Sequence, residues 1–350
     1  MPSALIDKLG ADVQLKVIDK NDEDFHGLLD EIIEKVGANP IYGSAHREYY
    51  REYFNHKVIS DEEIIIVYES TPLIAFLMNE FEVNSTQSLF NYFGMPGLLL
   101  IDTRMPYELQ ISARVVLENH LRSRKLFQKF NNSNFSITSP FSSMDTIDIV
   151  EPILKAGLSH HIYYERVIDL SLSPKKLFLE FSKSSQQAIK NAASIDSTFS
   201  FFTENSASHE QSFALASLRE LHLQAAGRVT RPESTWELQL QQLKYGSAVI
   251  SLGEIDSKLV HGSLFLLTGK TALYGVSANL KLNQKKSISH NFMYLTILEL
   301  QKLGVKKLYM GTQYEHFDHT TSPKEKGISQ FKSFFGGYLK LFYGVSSSVN

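Results

Sequence analysis

The stretch at residues 247–278 constrains this chain more than any other. Three apolar runs of strand length, at 247–253, 259–267 and 271–278, are joined by Glu254-Ile255-Asp256-Ser257-Lys258 and by Thr268-Gly269-Lys270. Those linkers carry the residues that hairpin turns need, so the pattern predicts an antiparallel meander. The periodicity then becomes helical at about 290–303 and stops at Gly304, a residue suited to the left-handed cap of a helix. A short apolar run at 305–310, a helical pattern at 328–335 and a last strand at 338–343 complete the order. Meander, helix, strand, helix, strand predicts an α/β (α+β) fold with a mixed, mainly antiparallel sheet flanked by helices.

The upstream half echoes this order. A helix is predicted at 24–36, from the spacing of Phe25, Leu28, Leu29, Ile32, Ile33 and Val36. A hairpin at 63–69 and 73–81 turns at Ser70-Thr71-Pro72. An apolar run at 98–102, a long helix at 107–127, a strand at 133–138, a helix at 145–156 and a strand at 161–170 follow. Ser173-Pro174 then opens a helix to 194, because proline at the first helical position loses no needed N–H. A strand at 198–203 and helices at 209–225 and 236–243 lead into the meander. At 350 residues the chain is long for one core, and the echo places two domains at 1–165 and 166–350. Residues 1–165 carry 14 Lys+Arg against 24 Asp+Glu, whereas residues 166–350 carry 21 against 14. The basic second half is the half suited to an anionic ligand.

Several function classes drop out. Cysteine is absent, which removes disulfides, thiolate nucleophiles and Cys-based zinc sites. No apolar stretch reaches the roughly 18 residues of a spanning helix. The first residues carry acidic side chains and neither a basic leader nor an apolar core of a signal, so the expected location is cytoplasmic, with membrane contact at most peripheral. A net charge of −3 argues against a DNA partner. No P-loop, dinucleotide fingerprint or G-x-S-x-G elbow is present. The run Tyr314-Glu315-His316-Phe317-Asp318-His319 matches no zinc spacing, and the expectation is no metal. Pro323 just beyond it reads as loop, and His316 or His319 is a candidate general base because imidazole titrates near neutrality.

The segments GSAVISLGEIDSKLVHGSLFLLTGKTALYGVSANLK, LGVKKLYMG and KGISQFKSFFGG resemble, in order and spacing, the Fem-type peptidoglycan-bridge aminoacyltransferases and the broader FemAB-like acyltransferases. The likeness covers about residues 166–343. It implies two tandem GNAT-like (GCN5-related N-acetyltransferase-like) domains whose sheet splays to admit the acyl carrier. The family's Phe-Lys pair falls on Phe331-Lys332, which implies that the lysine stabilises charge on the reacting ester and that the Phe331 backbone helps position the attacking amine. Tyr274 falls where relatives place an aromatic facing the acceptor cleft. Arg228, Arg231 and His222 fall in a region of acceptor-contacting basic residues.

The stretch at 281–291, with Lys285, Lys286, Ser289, His290 and Asn291, lies just before a helix N-terminus and suits a phosphate-bearing donor. The Q/R-x-x-G-x-G/A loop that cradles CoA in ordinary GNAT enzymes is missing, so acyl-CoA and aminoacyl-tRNA both stand as co-substrates and tRNA as a partner. No tightly bound cofactor is expected. The acceptor implied is a small-molecule or lipid-linked envelope precursor, or a nucleotide-linked sugar. The alternative is a catalytically inactive GNAT-like module that binds such a precursor or a protein partner.

Overall fold

The computed structural model describes residues 14–54, 57–84, 87–93, 95–126, 134–140, 158–192, 194–280, 288–314 and 321–347. The helix expected at 145–156 lies outside them. In the first half, strand β1 (Leu15–Asp19) leads to helices α1 (Phe25–Val36) and α2 (Arg47–Phe54) and the hairpin β2 (Val58–Tyr68) and β3 (Thr71–Asn84). Strands β4 (Gln87–Asn91) and β5 (Gly97–Ile101), helix α3 (Tyr107–Ser123) and strand β6 (Asn134–Pro140) follow. The second half begins with β7 (Leu158–Asp169), α4 (Pro174–Glu180), α5 (Lys183–Ala192), β8 (Ser197–Phe202), α6 (Ser208–Ala226) and α7 (Glu233–Lys244). Then come the meander β9 (Ala248–Ile255), β10 (Lys258–Thr268) and β11 (Thr271–Asn279), helix α8 (Ile288–Lys302), β12 (Lys307–Gln313), α9 (Pro323–Ser333) and β13 (Tyr338–Ser347).

The described strands form one sheet in the order β1-β2-β3-β4-β6-β13-β7-β12-β11-β10-β9-β8, with β5 bridging β3 and β6. The echo between the halves is a repeated unit. In each, antiparallel strands end in one that runs parallel to the strand after the next helix: β5 with β6 across α3, and β11 with β12 across α8. The last strand joins the two units. β13 pairs antiparallel with β7 along one edge and with β6 along the other. The junction expected between 165 and 166 therefore falls inside β7. Each half buries apolar side chains on both sheet faces, and Ile41 and Tyr50 of the first half pack into a core of the second. Turn 43–46 seals that contact: Gln242 donates from Nε2 to His46 Nδ1 (3.1 Å), and His46 Nε2 lies 3.1 Å from the Leu267 carbonyl. Burial lowers the pKa of His46 to about 4, so its imidazole is neutral.

Three local expectations change. The first hairpin turns at Glu69-Ser70, both at positive φ, and Pro72 lies inside β3 opposite Val67, beside a register shift where a missing N–H is tolerated. The helix expected at 174–194 is two helices. Phe181 is extended (φ −68°, ψ 150°), the Ser182 N–H donates to the Phe334 carbonyl at 2.9 Å, and the Gln186 side chain donates to the Phe181 carbonyl at 2.7 Å. Finally, Pro323 starts a helix. Ser322 and Glu325 form a capping box with Pro323 at the first helical position, so α9 begins five residues earlier than the apolar spacing shows.

The entry into β13 depends on Gly337. Its φ is +73°, and a Cβ there would lie 2.3 Å from the Val167 carbonyl oxygen, a backbone atom held in the ladder. Gly337→Ala is expected to lower the free energy of unfolding by about 2 kcal/mol or more, read by urea denaturation.

Candidate active site

Strands β11 and β12 pair over three residues only, Thr271 to Leu273 against Lys307 to Tyr309. Beyond Tyr309 the register of β12 on β7 shifts, and Gly311 takes φ +79°. A cleft of about 560 Å3 lies beside the end of β11 that β12 no longer follows, lined by Tyr274, Ser277 and Asn279 of that strand, Ser289 and His290 of α8, and Phe331 and Lys332 of α9.

Lys332 sits in the last turn of α9, half-buried, and its Nζ donates to the Thr312 carbonyl at 3.1 Å. A Cβ at position 311 would lie 3.3 Å from that nitrogen, so the glycine leaves the ammonium its room. Burial lowers its pKa to about 8, and the charge of Glu165 acts against the fall. Phe331 packs into the core beside it, and its carbonyl accepts the Phe334 N–H at 3.2 Å. His290 lies among Phe331, Phe334 and Phe335, with ring centroids 5.3, 5.4 and 5.7 Å away, and burial lowers its pKa.

The opposite wall carries a chain of polar side chains. His261 Nδ1 is 2.7 Å from Asn279 Oδ1, its Nε2 is 3.2 Å from Ser263 Oγ, and the Ser263 and Ser277 hydroxyl oxygens are 3.3 Å apart. The Tyr274 hydroxyl joins at Ser263 and Ser277. Burial lowers the pKa of His261 to about 4, so the ring is neutral.

Beneath Lys332 lies Glu165, directly opposite Thr312 in the β7–β12 ladder and 5% exposed. Asn39 Nδ2 donates to its Oε1 at 2.7 Å, while its buried Oε2 has no hydrogen-bond partner among the described residues. Burial raises its pKa to about 7, opposed by Asn39, Lys332 and Lys340. Lys340 of β13 donates to the carbonyls of Gly37 and Val36, and burial lowers its pKa to about 8.

Of the residues singled out in the sequence, Tyr274, Ser289, His290, Phe331 and Lys332 meet in this cleft. Asn291 is half-buried one position further along α8. Arg231 is 8% exposed; its guanidinium stacks 3.4 Å over the Trp236 ring and donates to the Tyr49 hydroxyl at 2.7 Å, which ties α7 to α2. His222 meets the same indole edge-on, and Arg228 is exposed. Lys285, Lys286, His316 and His319 lie outside the described residues. Sequence reasoning missed Glu165, Asn39, His261, Ser263 and Ser277. An acid at the centre of the strand IYYERVID was the available sign of the first.

No protein-family model matches the sequence, and neither does any curated protein. Solved structures do match. FemX aligns with a TM-score of 0.67 at 12% identity, over 94% of this chain and 96% of its own. The C-terminal domain (DUF2156) of a putative lysylphosphatidylglycerol synthetase from Agrobacterium fabrum aligns with a TM-score of 0.56 at 12% identity, over 91% and 92%. L-PGS from Bacillus licheniformis aligns with a TM-score of 0.54 at 12% identity, over 92% and 91%. The mixed, mainly antiparallel α/β fold expected from the sequence is thus the fold of this chain, and it is a fold shared with FemX.

Lys332 should be distinguishable without any substrate. Acetic-anhydride labelling followed by mass spectrometry is expected to give a Lys332 midpoint near pH 8, where an ordinary lysine titrates at about 10.4. A midpoint above 10 contradicts the burial described.

Proposed function

We propose that this chain transfers an acyl or aminoacyl group from an activated carrier, acyl-CoA or aminoacyl-tRNA, to an amine of a cell-envelope precursor or nucleotide-linked sugar. The observation that carries the reading is a half-buried ammonium, Lys332, on the wall of a cleft beside parted strands. An amine attacking an ester or thioester carbonyl forms a C–N bond and drives negative charge onto the carbonyl oxygen. A fixed cation held in a partly dehydrated site stabilises that oxygen more than water does. The C–O or C–S bond to the carrier then breaks, the amine nitrogen gives up a proton, and the carrier leaves protonated. With a pKa of about 8, Lys332 is mostly charged at neutral pH, as an oxyanion donor must be. The polar chain from Tyr274 and Ser277 to His261 offers the acceptor hydrogen-bonding groups on the facing wall. The similarity to a protein named a lysylphosphatidylglycerol synthetase, whose name joins lysine to a lipid, supports the aminoacyl branch.

The test is transfer by the purified chain with a panel of acyl-CoA and aminoacyl-tRNA donors and amine acceptors. Lys332→Ala is expected to reduce kcat about 100-fold or more, as loss of an oxyanion donor does elsewhere, with little change in KM. Ligand binding without transfer by the wild type, across the whole panel, favours the inactive binding module instead. Donor binding at two salt concentrations separates the carriers. Affinity for tRNA falls steeply with salt because bound counterions are released, and affinity for CoA falls far less.

The alkaline limb of kcat follows from the charge on Lys332. Its protonated form is the active one, so activity is expected to fall as pH rises through about 8. A rate still rising at pH 9 contradicts the oxyanion role and points to the neutral amine as the working form.

A further inference from the structure

We propose that Glu165 is a positioning residue for Lys332, a carboxylate held under the cleft floor by Asn39 of the first half, so that the first half is a working part of the site. This rests on the transferase reading for its purpose, though not for its physics.

The geometry is specific. Glu165 and Thr312 are partners across the β7–β12 ladder, and Lys332 Nζ is bound to the carbonyl of Thr312. Thr312 therefore has the backbone of Glu165 across the ladder on one side and the Lys332 ammonium on its carbonyl. Asn39 lies in the sharp turn after α1, where its own Oδ1 accepts the Ile41 N–H at 2.9 Å. That bond fixes the amide orientation and leaves Nδ2 to donate to Glu165 Oε1 at 2.7 Å. The turn is itself anchored, since the Tyr309 hydroxyl donates to the Gly37 carbonyl at 2.6 Å and Lys340 caps the same carbonyl. Among the described residues Oε2 has no hydrogen-bond partner, although such buried atoms normally have one.

The groups that bear on Glu165 come from every side. Lys332 reaches it from α9 and Lys340 from β13, while the phenols of Tyr42, Tyr163 and Tyr309 are pushed upward in pKa by burial and by its charge. Lys307 stands behind Lys340 and opposes its charge. The charge of Glu165 acts on Lys332, and on Lys340 as well. Burial alone drives both lysines towards the neutral amine, and an anion nearby opposes that drift. Without it, Lys332 would spend more of its time uncharged at neutral pH and would stabilise an oxyanion less.

The experiment is pH-dependent acetic-anhydride labelling of Lys332, read by mass spectrometry on the full chain without substrate, in wild type, Glu165→Gln and Asn39→Ala. Glu165→Gln is expected to lower the labelling midpoint by about one pH unit, the size of shift that one charge produces at short range. Asn39→Ala keeps the carboxyl but removes the donor favouring its ionised form, so the Lys332 midpoint falls in the same direction by less. Asn39→Ala also keeps the test alive should Glu165→Gln fail to fold. Glu165→Asp restores part of the shift, which a purely structural role does not explain. Midpoints unchanged in the folded variants overturn the proposal. The labelling result stands apart from turnover: a shifted midpoint with no transfer by any donor defeats the transferase reading and keeps this inference, and transfer with an unmoved midpoint does the reverse.

Discussion

The site depends on a short parallel ladder. β12 can follow β11 for three residues, and then a positive-φ glycine and a register shift commit it to β7 instead. The parting of two strands that began side by side opens a cleft inside an otherwise continuous sheet. On the sheet side β11 is hydrogen-bonded to β10 along the wall, which fixes its backbone. A fixed wall holds a reacting carbonyl at a set distance from a charge. Lys332 uses that gap, with its stem on α9 and its ammonium against a β12 carbonyl.

The two halves are not independent units laid end to end. β13 is hydrogen-bonded to a strand of each, and the turn at 37–46 supplies the acceptor for Lys340, the donor for Glu165 and a neutral histidine wedged against β10. Arg231 adds a stacked guanidinium between α7 and α2. Most of these contacts are hydrogen-bonded and buried, the class whose loss costs most. A consequence is that a substitution in the first half can be felt at the cleft without touching it.

How much of this could be read from the sequence follows from the range of the interactions. The meander, α8 and its Gly304 stop were legible because turn residues, apolar spacing and a cap all act within a few positions. Tyr274 and Lys332 were reachable because a resemblance in order and spacing covers the segments that hold them, and His290 because it lies where a helix begins. The break at Phe181 was not, since the helical spacing runs through it and the decision is made by the carbonyl of Phe334, from the far end of the chain. Pro323 was misread because a proline after a polar loop looks like more loop until Ser322 and Glu325 are seen to cap one another. Arg231 carried the right charge for an anionic ligand, but what it meets is an indole and a phenol. Glu165 and Asn39, 126 residues apart, have no local pattern to betray them.

The account turns on where the reacting carbonyl goes, and a structure with a non-hydrolysable acyl- or aminoacyl-donor analogue bound tests it most directly. The carbonyl oxygen should lie within hydrogen-bond distance of Lys332 Nζ, with the carrier leaving the cleft between Tyr274 and α9. An analogue bound elsewhere on the chain, with Lys332 still turned to the Thr312 carbonyl, would contradict it.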